Sequence, residues 1–571
     1  MTTETDIKST MDKAEPVEDV PGPEAAPPDD AADAGAGGGG SFRLPPADWD
    51  KLKRCAGLDQ NDRDNARRLD EWSGENLMFV QGHQWLVWTG THWKRDEGSL
   101  TVAKLAQDLV DRIKLEPLAI FPVGENKKLL ASADAALEKD PDARTPEEVR
   151  LIRLGEEIRA SLKKQRQQRR NFAVSSGNAT RTAAMLRQAE SQKSVDQDRL
   201  DADPMAFNVL NGTLEFARIE DAENPDPDSV RLKGDVAFRA HRREDLMTKC
   251  ADVAYEPDAT CPQFDAFLAR VVPKPHMRRF LQVFWGYCLM GGNGEQKLLY
   301  NYGSGANGKS LMVDSMRELL GDYAATVSSE TIAGEGQRQS QQASPDLARL
   351  FNVRLASIDE LPRGTPLKES FVKQVSGGTP ILARHLLKEF FEFTPQFVPV
   401  MTGNDMPEIF GTDDGIWRRL LLMHWDVRIP DEEQVPIEDM KARFAAERPG
   451  ILNWLIGGAL EWLANGLTPH IPAEVRQFVD EYRKDKDLVG EFAKVCLEAM
   501  PDHREPAKAL YDNFVLWCEH NALRPFKQTY FGTRMGQLGW AKERSSTVYY
   551  KDCRLRDDLP HYAQASQNAG R

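Results

Sequence analysis

A glycine-rich turn between an apolar run and a helical run constrains the fold of this chain more than any other feature. The apolar run at 297–302 predicts a buried strand, and residues 310–320 carry the apolar spacing of a helix. The turn reads Gly303-Ser304-Gly305-Ala306-Asn307-Gly308-Lys309-Ser310 and fills every fixed position of the pattern G-x-x-x-x-G-K-[ST]. A chance match in a chain of this length is expected only about twice in a hundred. We therefore interpret the turn as a phosphate loop in an α/β fold, with an ordinary glycine-rich turn as the alternative.

The chemistry of this loop predicts ATP and Mg²⁺ as cofactors. Its backbone N–H groups and the start of the following helix would surround the phosphates, because the helix dipole favours an anion there. Lys309 would reach the β- and γ-phosphates, and the Ser310 hydroxyl would bind Mg²⁺.

The composition is that of a soluble globular protein with several domains. With 571 residues the chain is too long for one hydrophobic core, so we expect two to four domains. No apolar run is long enough to span a bilayer, and the seven cysteines form no C-x-x-C pair. We therefore expect a cytoplasmic protein without a membrane partner.

The net charge of −15 is unevenly distributed along the chain. Residues 1–40 carry ten acidic residues and only two lysines in a segment rich in Pro, Ala and Gly. We expect this acidic tail to be disordered. The remainder is only mildly acidic, which leaves room for a local basic channel.

Polar residues end two further predicted strands downstream of the loop. The apolar run at 353–358 is followed by Asp359, expected to hold Mg²⁺, and Glu360, expected to polarise the attacking water. The run at 397–403 is followed by Asn404, which could hydrogen-bond that water or the γ-phosphate. An asparagine that only serves a turn is the alternative for Asn404.

Basic residues in two further segments are candidates for contacts with phosphates. Arg418 and Arg419 precede an apolar strand, and a guanidinium can stabilise phosphoryl charge from a neighbouring subunit. A solvated or salt-bridged arginine pair is the alternative. The Gly377–Gly378 turn and the alternating run after it predict a hairpin. We expect Lys373 before the turn, and Arg384 and Lys388 on the hairpin, to bind a nucleic-acid backbone.

The ordered set of these motifs resembles superfamily 3 helicases, and more closely the primase-helicases of phages, satellite phages, plasmids and poxviruses. The motifs are the phosphate loop, Ile358-Asp359-Glu360, Gly377-Gly378-Thr379-Pro380, Thr402-Gly403-Asn404 and Trp417-Arg418-Arg419. Weaker similarities extend the resemblance to about residues 60–555.

The resemblance implies an AAA+-like ATPase that forms a ring, expected to be a homo-hexamer, with ATP at the subunit interfaces. Lys309, Ser310, Asp359, Glu360 and Asn404 would act within one subunit, and Arg418 or Arg419 from its neighbour, with Arg419 favoured. The ring would move along single-stranded DNA from 3′ to 5′ and open forked DNA in the cytoplasm of a bacterial host. A separate primase or a replication-origin protein is a further expected partner.

Composition, the predicted elements and this resemblance together give the expected domain organisation, which has eight parts. They are a disordered tail (1–40), an aromatic-rich α+β domain (41–123), a polar and basic helical connector (124–200), an α+β region (201–285), the helicase ATPase domain (286–430), a helical segment (431–487), a winged helix (488–556) and a tail (557–571). The basic stretch 163–170 is interpreted as a solvated helix face rather than a phosphate-contacting arm.

This chain differs from a complete primase-helicase, and alternatives to helicase activity stay open. Many relatives carry a primase domain with metal-binding acids, whereas Asp196, Asp198, Asp201 and Asp203 are interpreted as solvated linker. We expect no priming by this chain alone. Alternatives to a helicase are a remodelling or packaging ATPase and a non-catalytic origin-binding or loading module; a small-molecule kinase would explain neither the hairpin nor the winged helix.

Overall fold

The computed structural model describes residues 45–81, 84–222, 230–334, 345–358, 360–361, 365–384, 390–409, 414–544 and 547–556. The predicted tails 1–40 and 557–571, and the site residues Asp359 and Lys388, lie outside the described residues.

The first part of the chain is a small antiparallel sheet surrounded by helices. Its helices are α1 (Pro46–Ala56), α2 (Asp62–Ser73), α3 (Leu100–Leu115), α4 (Glu125–Leu137), α5 (Pro146–Ser176) and α6 (Ala179–Gln192). Its strands β1 (Leu77–Val80), β2 (Gln84–Trp88) and β3 (Trp93–Arg95) form a sheet in that order. The segment 85–93 predicts two short strands around a Thr-Gly turn, and residues 101–114 predict a helix; both are confirmed as β2, β3 and α3. Trp85 and Trp93 are buried, as expected of core residues.

The basic helical segment shares the core of this first part instead of connecting two domains. Phe172 of α5 and Met185 of α6 are buried in the same cluster as Leu69 and Trp85. Most of α5 is polar, and four of its five buried residues lie near its C-terminal end, so composition alone hid this packing. Within 163–170, Lys163, Lys164 and Arg170 are exposed as expected of a solvated face.

Arg169 instead turns inward and joins a buried ion triad. Glu116, only 1% exposed, accepts hydrogen bonds from Arg68 at 2.8 Å and from Arg169. Both guanidiniums also donate to backbone carbonyls around Leu58. Burial raises the pKa of Glu116, and the two arginines oppose that shift. The triad ties α2 and α5 to the turn that follows α3.

A second antiparallel sheet and two helices precede the nucleotide-binding motifs. The strands are β4 (Ala206–Val209), β5 (Gly212–Glu220) and β6 (Leu232–Arg239), and the helices are α7 (Pro262–Val271) and α8 (Pro275–Tyr287). Asp201, interpreted from sequence as solvated linker, is 4% exposed and accepts hydrogen bonds from Thr248 and Asn352. That interpretation is wrong for Asp201, because a distant loop and the nucleotide domain supply its donors. Asp196, Asp198 and Asp203 are exposed as expected.

The nucleotide domain is built on a five-stranded parallel sheet, which confirms the predicted α/β class. Its elements are β7 (Leu298–Tyr302), α9 (Lys309–Leu320), β8 (Ala324–Val327), α10 (Ser329–Ile332), α11 (Pro345–Ala348), β9 (Leu355–Ile358), α12 (Glu369–Ser376), β10 (Ile381–Arg384), β11 (Phe390–Phe393), β12 (Val398–Gly403), α13 (Asp414–Trp417) and β13 (Leu420–His424). The strand order is β13-β7-β12-β9-β8, and β10 and β11 form a separate antiparallel hairpin.

Both faces of the parallel sheet are buried, which explains why its strands are continuously apolar. Leu299 points into the core shared with α8 and α9, whereas its neighbours Leu298 and Tyr300 point into the opposite core. Because β12 pairs in parallel with both β7 and β9, the carboxyl ends of these three strands lie side by side at one end of the sheet.

Three helices after the sheet complete the core that begins before it. They are α14 (Ile437–Ala446), α15 (Arg448–Asn465) and α16 (Ala473–Lys486). A Cβ at Gly286 of α8 would lie 2.2 Å from the Ala459 backbone nitrogen, so glycine permits the close contact between α8 and α15. The predicted α+β region and the predicted helical segment thus share one core with one face of the sheet.

The last part of the chain has its own core of three helices and three strands. Its elements are α17 (Leu488–Cys496), β14 (Leu497–Pro506), α18 (Ala507–His520), α19 (Gln528–Gln537), β15 (Lys542–Arg544) and β16 (Val548–Leu555). The sheet order is β14-β16-β15. The sequence prediction missed β14, because this edge strand contains Pro501 and a register shift between Ala499 and Arg504. None of the described helices is both long and apolar enough to cross a membrane.

Candidate nucleotide site

The predicted phosphate loop connects β7 to α9 with the geometry that its glycines allow. Gly308 has φ +81°, and a Cβ there would lie 2.7 Å from a ring carbon of Phe267. Both the backbone conformation and the contact therefore require glycine at this position. Ala306 also has a positive φ of +60°.

The segment after β13 braces the loop from behind. The Asn307 side-chain amide donates to the Ser304 carbonyl at 2.7 Å and to the Trp425 carbonyl at 3.1 Å. The Ile429 backbone N–H donates to the Ala306 carbonyl at 2.8 Å. Trp425 and Ile429 are not among the predicted site residues, since nothing local in their sequence places them beside residues more than a hundred positions earlier.

Lys309 lies inside the loop and is only 6% exposed. Its Nζ donates to the Gly303 carbonyl at 2.8 Å and to Asn404 Oδ1 at 2.7 Å. Burial lowers the pKa of Lys309, and the nearby Glu360 carboxylate acts in the opposite sense. The amine is thus held between the loop and the end of β12.

Glu360 and Asn404 meet Lys309 at the same edge of the sheet. The Asn404 backbone N–H donates to Glu360 Oε1 at 3.0 Å, and both residues are exposed. Glu360 follows β9, Asn404 follows β12 and Lys309 follows β7, so three parallel strands deliver three groups to one place. Because β12 lies between the other two, Asn404 contacts both the lysine and the glutamate.

The residues present fit a triphosphate with Mg²⁺. Ser304, Gly305 and Ala306 are exposed, and a Cβ at Gly305 would have no neighbour within 4 Å, so one side of the loop is open. Ser310 is exposed in the first turn of α9. A cation, N–H groups at a helix N-terminus, a hydroxyl and a carboxylate are the groups that such a ligand requires.

Arg418 and Arg419 lie at the amino ends of the parallel strands, whereas the loop lies at their carboxyl ends. The Leu298 backbone N–H, at the start of β7, donates to the Arg419 carbonyl at 2.8 Å. The loop begins at the other end of that strand, a distance of about 16 Å at about 3.3 Å per residue. The backbone of the two arginines therefore lies about a strand length from the loop of the same chain.

The two arginines differ in orientation, and this difference is relevant to the expectation that Arg419 acts between subunits. Arg419 is 8% exposed and donates to Ser376 Oγ at 3.0 Å and to the Gly415 carbonyl. Arg418 is exposed and donates to Gln296 Oε1 at 3.3 Å. Burial lowers the pKa of Lys297, Glu295 opposes that shift, and the two arginines add to it. This edge thus gathers three cations, of which Arg418 is the arginine turned outward.

This difference predicts separate effects on stability. Arg419→Ala is expected to lower the free energy of unfolding by about 1–3 kcal/mol, because buried acceptors lose their donor. Arg418→Ala is expected to change it by less than about 0.5 kcal/mol, as is usual for an exposed side chain. Denaturant unfolding of both variants measures this; equal losses would contradict the assignment.

The predicted hairpin is confirmed as β10 and β11, with its turn outside the described residues. Arg384 lies at the end of β10 with its guanidinium 4.5 Å from the centre of the Phe390 ring. Lys373 lies before the hairpin on α12 and is half-buried. The structure therefore places one of the three candidate DNA contacts on the described part of the hairpin.

Residues 66–273 match the family model described as "D5 N terminal like". This match ends before the phosphate loop, so it concerns the first sheet, its helices and the region leading to α8. It covers residues that the sequence resemblance reached only through short motifs.

Curated viral proteins are similar to a larger part of the chain. "Putative helicase L207/L206" of Acanthamoeba polyphaga mimivirus is 28% identical over 305 residues, which cover 50% of this chain and 32% of that protein. "Putative helicase 022R" of Frog virus 3 is 26% identical over 45% of this chain and 28% of that protein. "Putative primase C962R" of African swine fever virus is 23% identical over 41% and 24%. The chain spans about a third or less of the length of these relatives.

These similarities support a primase-helicase relationship, with helicase action and DNA replication as the associated activities. Among solved structures, the C-terminal region of NrS-1 aligns with 57% of this chain at 10% identity and a TM-score of 0.32. A score of this size carries no argument about fold or function.

Proposed function

We propose that this chain is an ATP-dependent DNA helicase of superfamily 3 that serves the replication of a mobile element. The observation that carries the proposal is the meeting of Lys309, Asn404 and Glu360, from three parallel strands, beside a phosphate loop. The sheet, with the Asn404 strand between the loop strand and the acid-bearing strand, supports an AAA+-like core.

In this proposal the loop binds the phosphates of ATP, and each group of the site has one task. The Lys309 amine turns from the Gly303 carbonyl to the β- and γ-phosphates, and Asn404 orients the attacking water. Glu360 accepts a proton from that water while the water oxygen bonds to the γ-phosphorus. The bond between the γ-phosphorus and the oxygen that links it to the β-phosphate breaks at the same time. Mg²⁺, held by Ser310 and Asp359, would neutralise phosphate charge.

Arg418 completes the site of the neighbouring subunit in a ring, which we propose to be a homo-hexamer. Arg418 is exposed at the amino ends of the strands, about a strand length from the phosphate loop of the same chain, which supports this role. The hairpin with Arg384 and Lys388, together with Lys373, would contact single-stranded DNA. The three helices and the sheet at 488–556 support a winged helix, a candidate contact for a primase or an origin protein.

Unwinding of forked DNA tests the proposal directly. Forks with a 3′ or a 5′ single-stranded tail are incubated with the protein, ATP and Mg²⁺, and strand separation is measured with phosphate release. We expect separation of the fork with a 3′ tail and hydrolysis stimulated by single-stranded DNA. Strong hydrolysis without separation of either fork would favour a remodelling or packaging ATPase, and hydrolysis that ignores DNA in a monomeric protein would exclude a helicase.

Glu360→Gln is expected to lower ATP hydrolysis by about 100-fold, because the variant keeps the shape of the side chain but loses the proton acceptor. Nucleotide binding, measured with a fluorescent ATP analogue, should persist. Glu432→Gln, at an exposed acid on the connection after β13, is the matched control and should hydrolyse ATP normally. Normal hydrolysis by Glu360→Gln would remove Glu360 from the mechanism.

A further inference from the structure

A cleft of about 600 Å³ lies between the small first sheet and the nucleotide domain. One wall comes from β3, another from the loop before Cys250, and the third from the end of α9, β8 and the segment after α11. The cleft lies beside β8, which is an edge strand of the sheet. Two strands, β12 and β9, separate β8 from the phosphate-loop strand β7. It is therefore separate from the nucleotide site.

Five basic residues line this cleft, and most of them have no counter-charge. They are Lys94, Arg95, Lys249, Arg317 and Arg349. Arg317 pairs with Asp314 at 3.3 Å. Within the described ranges, the other four side chains form no ion pair or hydrogen bond, and Arg95 Nε is buried without a partner. Unpaired cations in a concave site attract an anion.

The acidic residues of the cleft cancel only part of this charge. Glu318 is engaged by Lys441 and Arg448, and Asp322 lies 3.6 Å from His92. Glu97 is exposed at the rim. Burial lowers the pKa of His92, Asp322 opposes that shift, and Lys94 and Lys249 add to it, as expected where cations gather.

The cleft is also connected to the hairpin that the proposed function places on DNA. Phe351 forms part of the cleft wall, and its ring packs edge-on against Phe391 and Phe393 of β11, with centroids 5.9 and 5.8 Å apart. Gln197, close to the cleft residue Leu200 in the chain, donates to the Glu392 carbonyl at 3.1 Å. The hairpin and the cleft are therefore neighbours in the fold.

We propose that this cleft binds the phosphodiester backbone of a single-stranded nucleic acid, as a contact additional to the hairpin. The cations come from four separate segments and are spread along the walls, which suits a row of phosphates better than one triphosphate. Trp93 and Phe351 are buried, so the described part of the cleft offers no exposed Trp, Tyr or Phe ring for base stacking, and we expect binding through the backbone rather than the bases. The inference rests on the proposed function only in taking nucleic acid as the partner.

Binding of a fluorescein-labelled oligothymidine by the full chain, without nucleotide and over a range of salt concentrations, tests the proposal. The variant is Lys94→Ala/Lys249→Ala/Arg349→Ala. We expect its affinity to fall about tenfold or more, and the slope of log K against log salt to become shallower by about 2, at about 0.7 per phosphate contact. ATP hydrolysis without DNA and the unfolding temperature should stay as in the wild type.

Lys163→Ala/Lys164→Ala/Arg170→Ala, on the exposed face of α5, is the matched control and should leave affinity and slope nearly unchanged. Glu97→Lys should raise the affinity and steepen the slope, which tests the cleft without removing any contact. An unchanged slope in the cleft variant, or an equal loss in the control, overturns the proposal. So does displacement of the oligonucleotide by free ATP from Lys309→Ala protein. Normal ATP hydrolysis with no binding by the wild type would instead contradict DNA as the partner.

Discussion

Lys309→Ala is expected to lose ATP hydrolysis by about 1000-fold or more, the upper range for removing a charge-stabilising group from a phosphoryl-transfer site. The amine is the cation inside the loop, and it is held within 2.8 Å of both the Gly303 carbonyl and Asn404. Alanine cannot neutralise the charge that develops on the transferred phosphate. Phosphate release measures the effect, and separation of forked DNA should disappear with it.

Lys494→Ala is the matched control for this experiment, because Lys494 is an exposed lysine of the C-terminal part. It should keep both activities. The Lys309→Ala protein must also retain its unfolding temperature within a few degrees for the loss to be attributed to chemistry. Hydrolysis at a tenth of the wild-type rate or more would show that the loop is not the hydrolytic site.

Glu116→Gln is expected to destabilise the first part of the chain by about 3–5 kcal/mol, the usual cost of breaking a buried ion pair by removing one partner. The variant keeps the shape of the side chain but leaves Arg68 and Arg169 buried without a counter-charge. The most protected amides of α2 and α5 should therefore exchange with solvent at least about 100-fold faster, at about 1.4 kcal/mol per tenfold change.

Glu138→Gln, at an exposed acid after α4, should leave that exchange unchanged. The amides of α17 to α19 provide an internal reference, since their core is separate. Equal protection of α2 in Glu116→Gln and the wild type would mean that the triad contributes nothing to this core.

Much of the candidate site could be predicted because its determinants are local. The phosphate loop is a continuous motif, and Glu360 and Asn404 each follow an apolar strand. Carboxyl ends of parallel strands share one end of the sheet, so the strand pattern predicts that these residues lie there, whereas the structure shows which strands are neighbours. Residue spacing also located α9 within one residue at its start.

The remainder depended on contacts between distant segments, which one sequence does not reveal. Which of the two adjacent arginines, Arg418 or Arg419, points inward depends on the contact with Ser376. The burial of Asp201 likewise depends on Thr248 and Asn352. Polar composition concealed the packing of α5 and α6 on the first sheet, and Pro501 concealed β14. Trp425 behind the phosphate loop belongs to the same class of long-range contact.

The close contact between α8 and α15 has a consequence for synthesis of the protein on the ribosome. The whole nucleotide domain is translated between these helices, so the surface of α8 that packs on α15 lacks this partner until α15 has emerged. At about 5–20 residues per second, that interval lasts on the order of ten seconds. The nascent chain exposes this apolar surface for that time. We therefore expect chaperones that bind at the ribosomal exit to bind it.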